Sequence, residues 1–169
     1  MGLLVRRWWL WSAVVLVVLT VLVWLLWPSR PQPPRARQYL DLSACLLTDD
    51  RGVAGPVAAS VWAGMQDAST VTHVRVQYLA VAGEATVGNA LPYLASLLQR
   101  RCAVVAVVGA AEAAAVEARA VNYPVVRFVV VDGSGMGGNV TTLTGLPAGQ
   151  LRDRVRDLVI GVAHSNAPR

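Results

Sequence analysis

Twenty consecutive residues without a charge, positions 8–27, divide this chain before any other feature is read. At about 1.5 Å per residue, a helix of that length measures about 30 Å, the thickness of a bilayer's hydrocarbon core. Trp8, Trp9 and Trp11 stand at one end of the run, and Trp24 and Trp27 at the other. Indole rings favour the headgroup region, so this is the pattern of an interfacial aromatic belt. A buried core helix gives no reason for Trp at both ends. A cleaved signal peptide has an apolar region of only about 7–15 residues and ends at a small-residue site, whereas this run ends at Pro28. The reading is an uncleaved signal anchor, a single transmembrane helix at residues 8–27 behind a short tail at residues 1–7. Residues 28–41 follow, with Pro28, Pro31, Pro33 and Pro34 close together. Such a segment is extended and semi-rigid, and it reads as a stalk.

The charge distribution agrees with an anchor. The formal net charge is +5. Arg6, Arg7, Arg30, Arg35 and Arg37 supply it; from residue 38 onward ten Arg oppose ten acids. A basic excess on the folded domain would point to nucleic acid. Here the excess flanks the apolar run, and no nucleic-acid partner is expected. Arg on both sides leaves orientation close to a tie by charge.

Residues 42–169 read as one domain in which strands and helices alternate. Apolar runs at Ser43–Thr48, His73–Val81, Cys102–Val108, Val125–Val131 and Val140–Leu143 have strand length. The run C-A-V-V-A-V-V suits a central parallel strand covered on both faces. Helical periodicity falls between them: Pro56 to about Ala68, Asn89–Arg101 with Pro92 in its first turn, Ala110–Val121, and Pro147–Ala163. The expected fold is α/β, a three-layer sandwich around a mainly parallel sheet, flavodoxin-like with strand order 2-1-3-4-5. Ligands in such folds bind at the carboxyl ends of the strands. This makes Asp49, Asp50, Gly109 and Asp132 the candidate ligand-binding residues.

The remaining motifs read more plainly. Cys45 and Cys102 open neighbouring strands, so a disulfide and a pair of buried thiols are both open. Leu42-Ser-Ala-Cys45 spells a lipobox, but it stands behind the stalk and reads as chance. Gly133-Ser-Gly135-Met-Gly-Gly138 fits G-x-G-x-x-G, yet it follows the fourth strand and precedes no helix, so it reads as a loop. Asn139-Val-Thr141 is a glycosylation sequon by spelling alone. His73 and His164 lack metal-ligand spacing. No catalytic set stands out: no enzyme activity, metal or cofactor is expected.

Three segments resemble the basic membrane lipoprotein family of type-I periplasmic solute-binding proteins. They are Cys45-Leu-Leu-Thr-Asp-Asp50 with Val61-Trp-Ala-Gly-Met65, then Val105-Ala-Val-Val-Gly109, then Tyr123-Pro-Val-Val-Arg-Phe-Val-Val-Val-Asp132. The likeness covers roughly residues 42–146, corresponding to the family's N-terminal lobe only. Gly55-Pro-Val-Ala-Ala59 stands where the family has a Ser-Phe-Asn element, so its stacking aromatic is absent. The resemblance implies a bacterial chain with its N-terminus in the cytoplasm and its domain outside. It implies a small-molecule solute such as a nucleoside or sugar, and service to an ABC-type importer. The partners would be the membrane through residues 8–27, an ABC permease, and a second lobe or homodimer partner to complete the cleft. The alternative is a degenerate lobe acting as a protein–protein interaction or sensory module.

Overall fold

The computed structural model describes residues 16–22 and 41–166. The chain divides into two compact units, Met1–Ala36 and Arg37–Arg169. In the first, residues 16–22 are helical. Among the described residues no helix is long and apolar enough to cross a membrane. Most of the span at residues 8–27, and the stalk up to residue 40, lie outside the described residues.

Among its described residues the second unit has five strands: β1 (Ser43–Thr48), β2 (Arg75–Ala80), β3 (Cys102–Val108), β4 (Arg127–Val131) and β5 (Val140–Leu143). Its four helices are α1 (Pro56–Thr72), α2 (Val87–Gln99), α3 (Ala110–Arg119) and α4 (Ala148–Ser165). The sheet is parallel throughout, in the expected order β2-β1-β3-β4-β5. Alternate residues of the inner strands feed two apolar layers. Cys45, Leu47, Val105, Val107, Phe128 and Val130 pack under α2 and α3, against Leu94, Leu97 and Val116. Ala44, Leu46, Val104, Ala106, Val129 and Val131 pack under α1 and α4, against Val61, Met65, Leu151, Val155 and Val159. Burial on both faces explains the unbroken apolar run of β3. The edge strand β2 is half-exposed along its length.

Helices α1 and α4 approach each other closely at Gly64. A β-carbon there would overlap the Arg152 carbonyl oxygen and lie 3.2 Å from its carbonyl carbon. Asp67 and Arg152 join the same two helices by a forked ion pair of 2.6 and 2.9 Å. Arg156 pairs within α4, with Asp153 and Asp157.

Several boundaries differ from expectation, for local reasons. Helix α1 runs to Thr72 because His73 takes the left-handed cap conformation, φ 60°, and donates its N–H to Ser69 O. That delays β2 to Arg75. Helix α2 starts at Val87 because the Thr86 hydroxyl accepts from the Asn89 N–H at 3.3 Å, so Pro92 lies inside the helix and not in its first turn. Strand β4 starts at Arg127 because Val126 N–H closes a turn onto Tyr123 O at 3.0 Å. Helix α3 ends at Arg119 and tightens into a 3-10 turn at Ala120–Asn122.

Cys45 and Cys102 form a disulfide with their Cα atoms 5.9 Å apart. Ser43 pairs with Cys102 but Ala44 with Val104, so Ala103 is an extra residue in β3. This bulge flips the parity of Cys102 and turns it to the face that carries Cys45. Gln77 covers the bridge, its amide 3.2 Å from Cys45 Sγ.

Candidate functional site

In a parallel sheet all carboxyl ends lie on one edge, and the loops that leave them shape this site. Three of the four residues singled out from the sequence meet there. Asp49 after β1, Gly109 after β3 and Asp132 after β4 line one cavity of ≈ 290 Å³. Asp50 is exposed and does not line it. The sequence reading missed the rest of the wall: Arg51 and the start of α1, Gly55–Ala58.

Asp49 is held by its neighbour. Its Oδ1 accepts the Arg51 backbone N–H at 3.2 Å, and its Oδ2 accepts Arg51 Nε and Nη2 at 3.1 and 2.7 Å. The hydrogen bonds it donates to Asp49, reinforced by that carboxylate's charge, hold the Arg51 guanidinium more firmly protonated than usual. The pair is a locally neutral unit that offers both donors and acceptors. Asp132 sits with φ 52°, a left-handed conformation that Asp tolerates better than most residues. Its Oδ1 accepts Gly145 N–H at 3.1 Å.

Two helix starts face the same space. Helix α1 begins at Pro56 after Gly55, and α3 begins at Ala110 after Gly109. Neither N-cap residue, a Gly in both, supplies a side-chain cap; in α1 the first-turn amides remain as donors with the positive end of the helix dipole behind them, while in α3 the Glu112 carboxyl already takes its own N–H.

Beneath Gly109 lies Glu112, which is 2% exposed. A β-carbon on Gly109 would overlap the Glu112 carboxylate oxygen and lie 3.0 Å from Cδ. Burial pushes the Glu112 carboxyl up from its ordinary pKa; its own backbone N–H opposes this, and the charges of Asp49 and Asp50 add to it. An acid at the third helical position is a capping signal, which is the sequence sign that points to Glu112. At the neighbouring loop, Asn89 Nδ2 donates to Ala82 O and Glu84 O at 2.8 and 2.9 Å, fixing the turn between β2 and α2.

The cavity thus sets carboxylate acceptors beside amide and guanidinium donors. That mixture suits a small neutral molecule bearing several hydroxyls, each able to donate to Asp and accept from an amide. Among the described residues no three His, Cys, Asp or Glu side chains gather to hold a metal ion.

The sequence matches no protein-family model and no curated protein. Among solved structures, it is similar to a fragment from Peptoclostridium difficile 630 described as a lipoprotein, at 16% identity and TM-score 0.59, covering 72% of this chain and 98% of that one. It also matches a transcriptional activator of the comK gene from Bacillus halodurans, at 21% identity and TM-score 0.49 over 60% of this chain and 33% of that one. A third match is an ABC transporter system solute-binding protein from Aeropyrum pernix K1, at 19% identity and TM-score 0.49, over 60% of this chain and 28% of that one. At these identities the first likeness shows a shared fold, that of an α/β domain also found in a protein described as a lipoprotein.

Proposed function

We propose that this chain is a membrane-anchored, extracytoplasmic domain of the solute-binding-protein class, akin to the basic membrane lipoproteins. Its strand-tip cavity takes a small hydroxyl-rich solute of the nucleoside or sugar kind and presents it to an ABC-type importer. The observation that carries the reading is the convergence of Asp49, Gly109, Asp132 and the uncapped start of α1 on one cavity at the carboxyl edge of the sheet. The three resembling segments and the uncharged run at residues 8–27 support it, as does the fold shared with a protein described as a lipoprotein. The role is binding, not catalysis. A partner lobe or second copy closes the other side of the cleft.

Isothermal titration of the full chain in detergent micelles against a panel of nucleosides and sugars tests this. Saturable heat with one member, lost in Asp132→Asn, is the expected result; no heat with any member sinks the solute role. The second reading is a protein-binding or sensory module. The Asp49–Arg51 ion pair favours it, because it already engages one of the two cavity carboxylates.

A further inference from the structure

We propose that the amino edge of the sheet, opposite the cavity, is a docking face for anionic phospholipid headgroups. Because every strand is parallel, all amino ends share one edge. Five Arg gather there: Arg75 opens β2, Arg100 and Arg101 precede β3, Arg127 opens β4, and Arg119 closes α3. All five are exposed. Arg75 pairs with Asp41 at 3.0 Å. Among the described residues the other four have no carboxylate within ion-pair distance. Arg100 Nη1 reaches Gln77 Oε1, and Arg127 Nη1 reaches Gly138 O, both at 3.3 Å, which leaves most of their donors free for a ligand. At the carboxyl edge Asp49, Asp50, Glu84 and Asp132 follow the ends of strands, with Arg51 paired to Asp49. A domain with no net charge is therefore polarised along its strands.

Helix dipoles account for part of this, since all four helices end at the amino edge and cations suit those ends. They do not account for Arg75 and Arg127, which open strands, nor for the apolar side chains among the arginines. Val121, Val125 and Met136 are 81%, 91% and 81% exposed. Val121 and Met136, with Pro124 and Arg127, line a second cavity of ≈ 410 Å³. Guanidinium groups interleaved with bare aliphatic side chains match an interfacial bilayer surface, which offers phosphates and acyl boundary together. A nucleic acid would leave the aliphatic groups unused.

In the chain order, this edge is the one nearest the uncharged run. The stalk enters the domain at the amino end of β1, and residues 28–40 separate it from the uncharged run. This proposal rests on reading residues 8–27 as a membrane anchor.

The test uses the full chain in nanodiscs, with a donor dye attached at position 166, the cap of α4, and a headgroup-labelled acceptor lipid. Discs of phosphatidylcholine alone are compared with discs containing about 30% phosphatidylglycerol. Energy transfer is expected to rise about twofold with the anionic lipid and to fall back at about 0.5 M salt, where screening is strong. The triple variant Arg100→Gln, Arg101→Gln, Arg127→Gln is expected to lose the rise while keeping its thermal unfolding midpoint, because the three side chains are exposed. Equal transfer in both discs with the chain retained, or full transfer in the triple variant, overturns docking while leaving the anchor standing. A chain that does not enter discs refutes the anchor and the docking with it. Capture of a short DNA duplex in neutral discs, lost in the same variant, reassigns the face to nucleic acid.

Discussion

Replacing Gly109 by Ala tests the link between fold and cavity most directly. The residue holds φ +128° and ψ 147°, a region reserved for glycine. Forcing an L residue there costs about 1–3 kcal/mol. The added β-carbon also meets the Glu112 carboxyl, with Cδ at 3.0 Å, while Asp49 Cβ at 3.8 Å is ordinary contact. Glu112 is 2% exposed and has little room to retreat, so overpacking adds about 1 kcal/mol or more. Against this, Gly→Ala narrows the unfolded ensemble and returns about 0.4–1 kcal/mol. The backbone and steric costs win, and the expected net loss is about 2–3 kcal/mol. With a urea slope of about 1–3 kcal/mol/M, the midpoint falls by about 1 M or more. The assay is urea unfolding of the full chain in micelles, followed by far-UV circular dichroism. A cycle with Glu112→Ala separates the two terms: in that background the steric part vanishes and the backbone part, about 1–3 kcal/mol, remains. A Gly109→Ala midpoint within error of the parent refutes the conformational argument. An equal loss in both backgrounds refutes the steric one.

Breaking the Cys45–Cys102 bridge by Cys45→Ser with Cys102→Ser removes a cross-link of sequence separation 57 and is expected to cost about 4 kcal/mol in urea unfolding. Free-thiol titration of the parent in denaturant should find none; two free thiols would refute the bridge. Glu112→Gln is expected to stabilise at neutral pH. The folded-state pKa of Glu112 is raised, so its favourable contribution is complete below the unfolded value of about 4.3 and is lost as pH rises through the folded one. Thermal midpoints of the variant and parent should therefore converge in acid and separate towards neutrality. A constant gap across that range contradicts the burial argument. Gly64→Ala gains about 1 kcal/mol of helix propensity but drives a β-carbon into the Arg152 backbone, which cannot rotate aside, so a net loss of about 1–2 kcal/mol is expected. Gly161→Ala, with open space around it on α4, should stabilise instead, and equal effects at the two positions would refute the packing explanation.

The same physics separates what the sequence disclosed about the fold from what it hid. Strands β1, β3 and β5 have the bounds read from the sequence; in β3 this is because burial on both faces leaves no polar break in the run, and in β1 because the buried Ala44–Leu47 core stands between Ser43 and Thr48. The ends of α1 and α2 were illegible, since a left-handed His73 and a capping Thr86 decide them, and neither position has a glycine or proline to announce it. Asp49, Gly109 and Asp132 were found by a rule of topology, the ligand edge of a parallel sheet. Arg51 and Glu112 were not, because their roles depend on a tight turn after β1 and on the missing β-carbon of Gly109, whose place the Glu112 carboxyl takes.

The disulfide shows where pattern reading must fail. Strand alternation alone places Cys102 on the face opposite Cys45: Val105 pairs with Cys45, and Cys102 stands an odd number of residues from it. Read strictly, that parity forbids the bond. Ala103 reverses it by bulging out of register, so the sulfurs meet beneath Gln77. The bulge has no side-chain signature, for an alanine fits either geometry. The placement is consistent with the bridge itself holding the bulge, a cross-link selecting the irregular register over the regular one. On that reasoning the Cys45→Ser, Cys102→Ser variant should lose more than loop entropy. Its β3 should slip toward regular pairing at Ala103, and the Ala103 amide should then exchange with solvent at a different rate from the parent's. An unchanged exchange rate at Ala103 would mean that packing under α2 and α3 sets the bulge and the disulfide merely uses it.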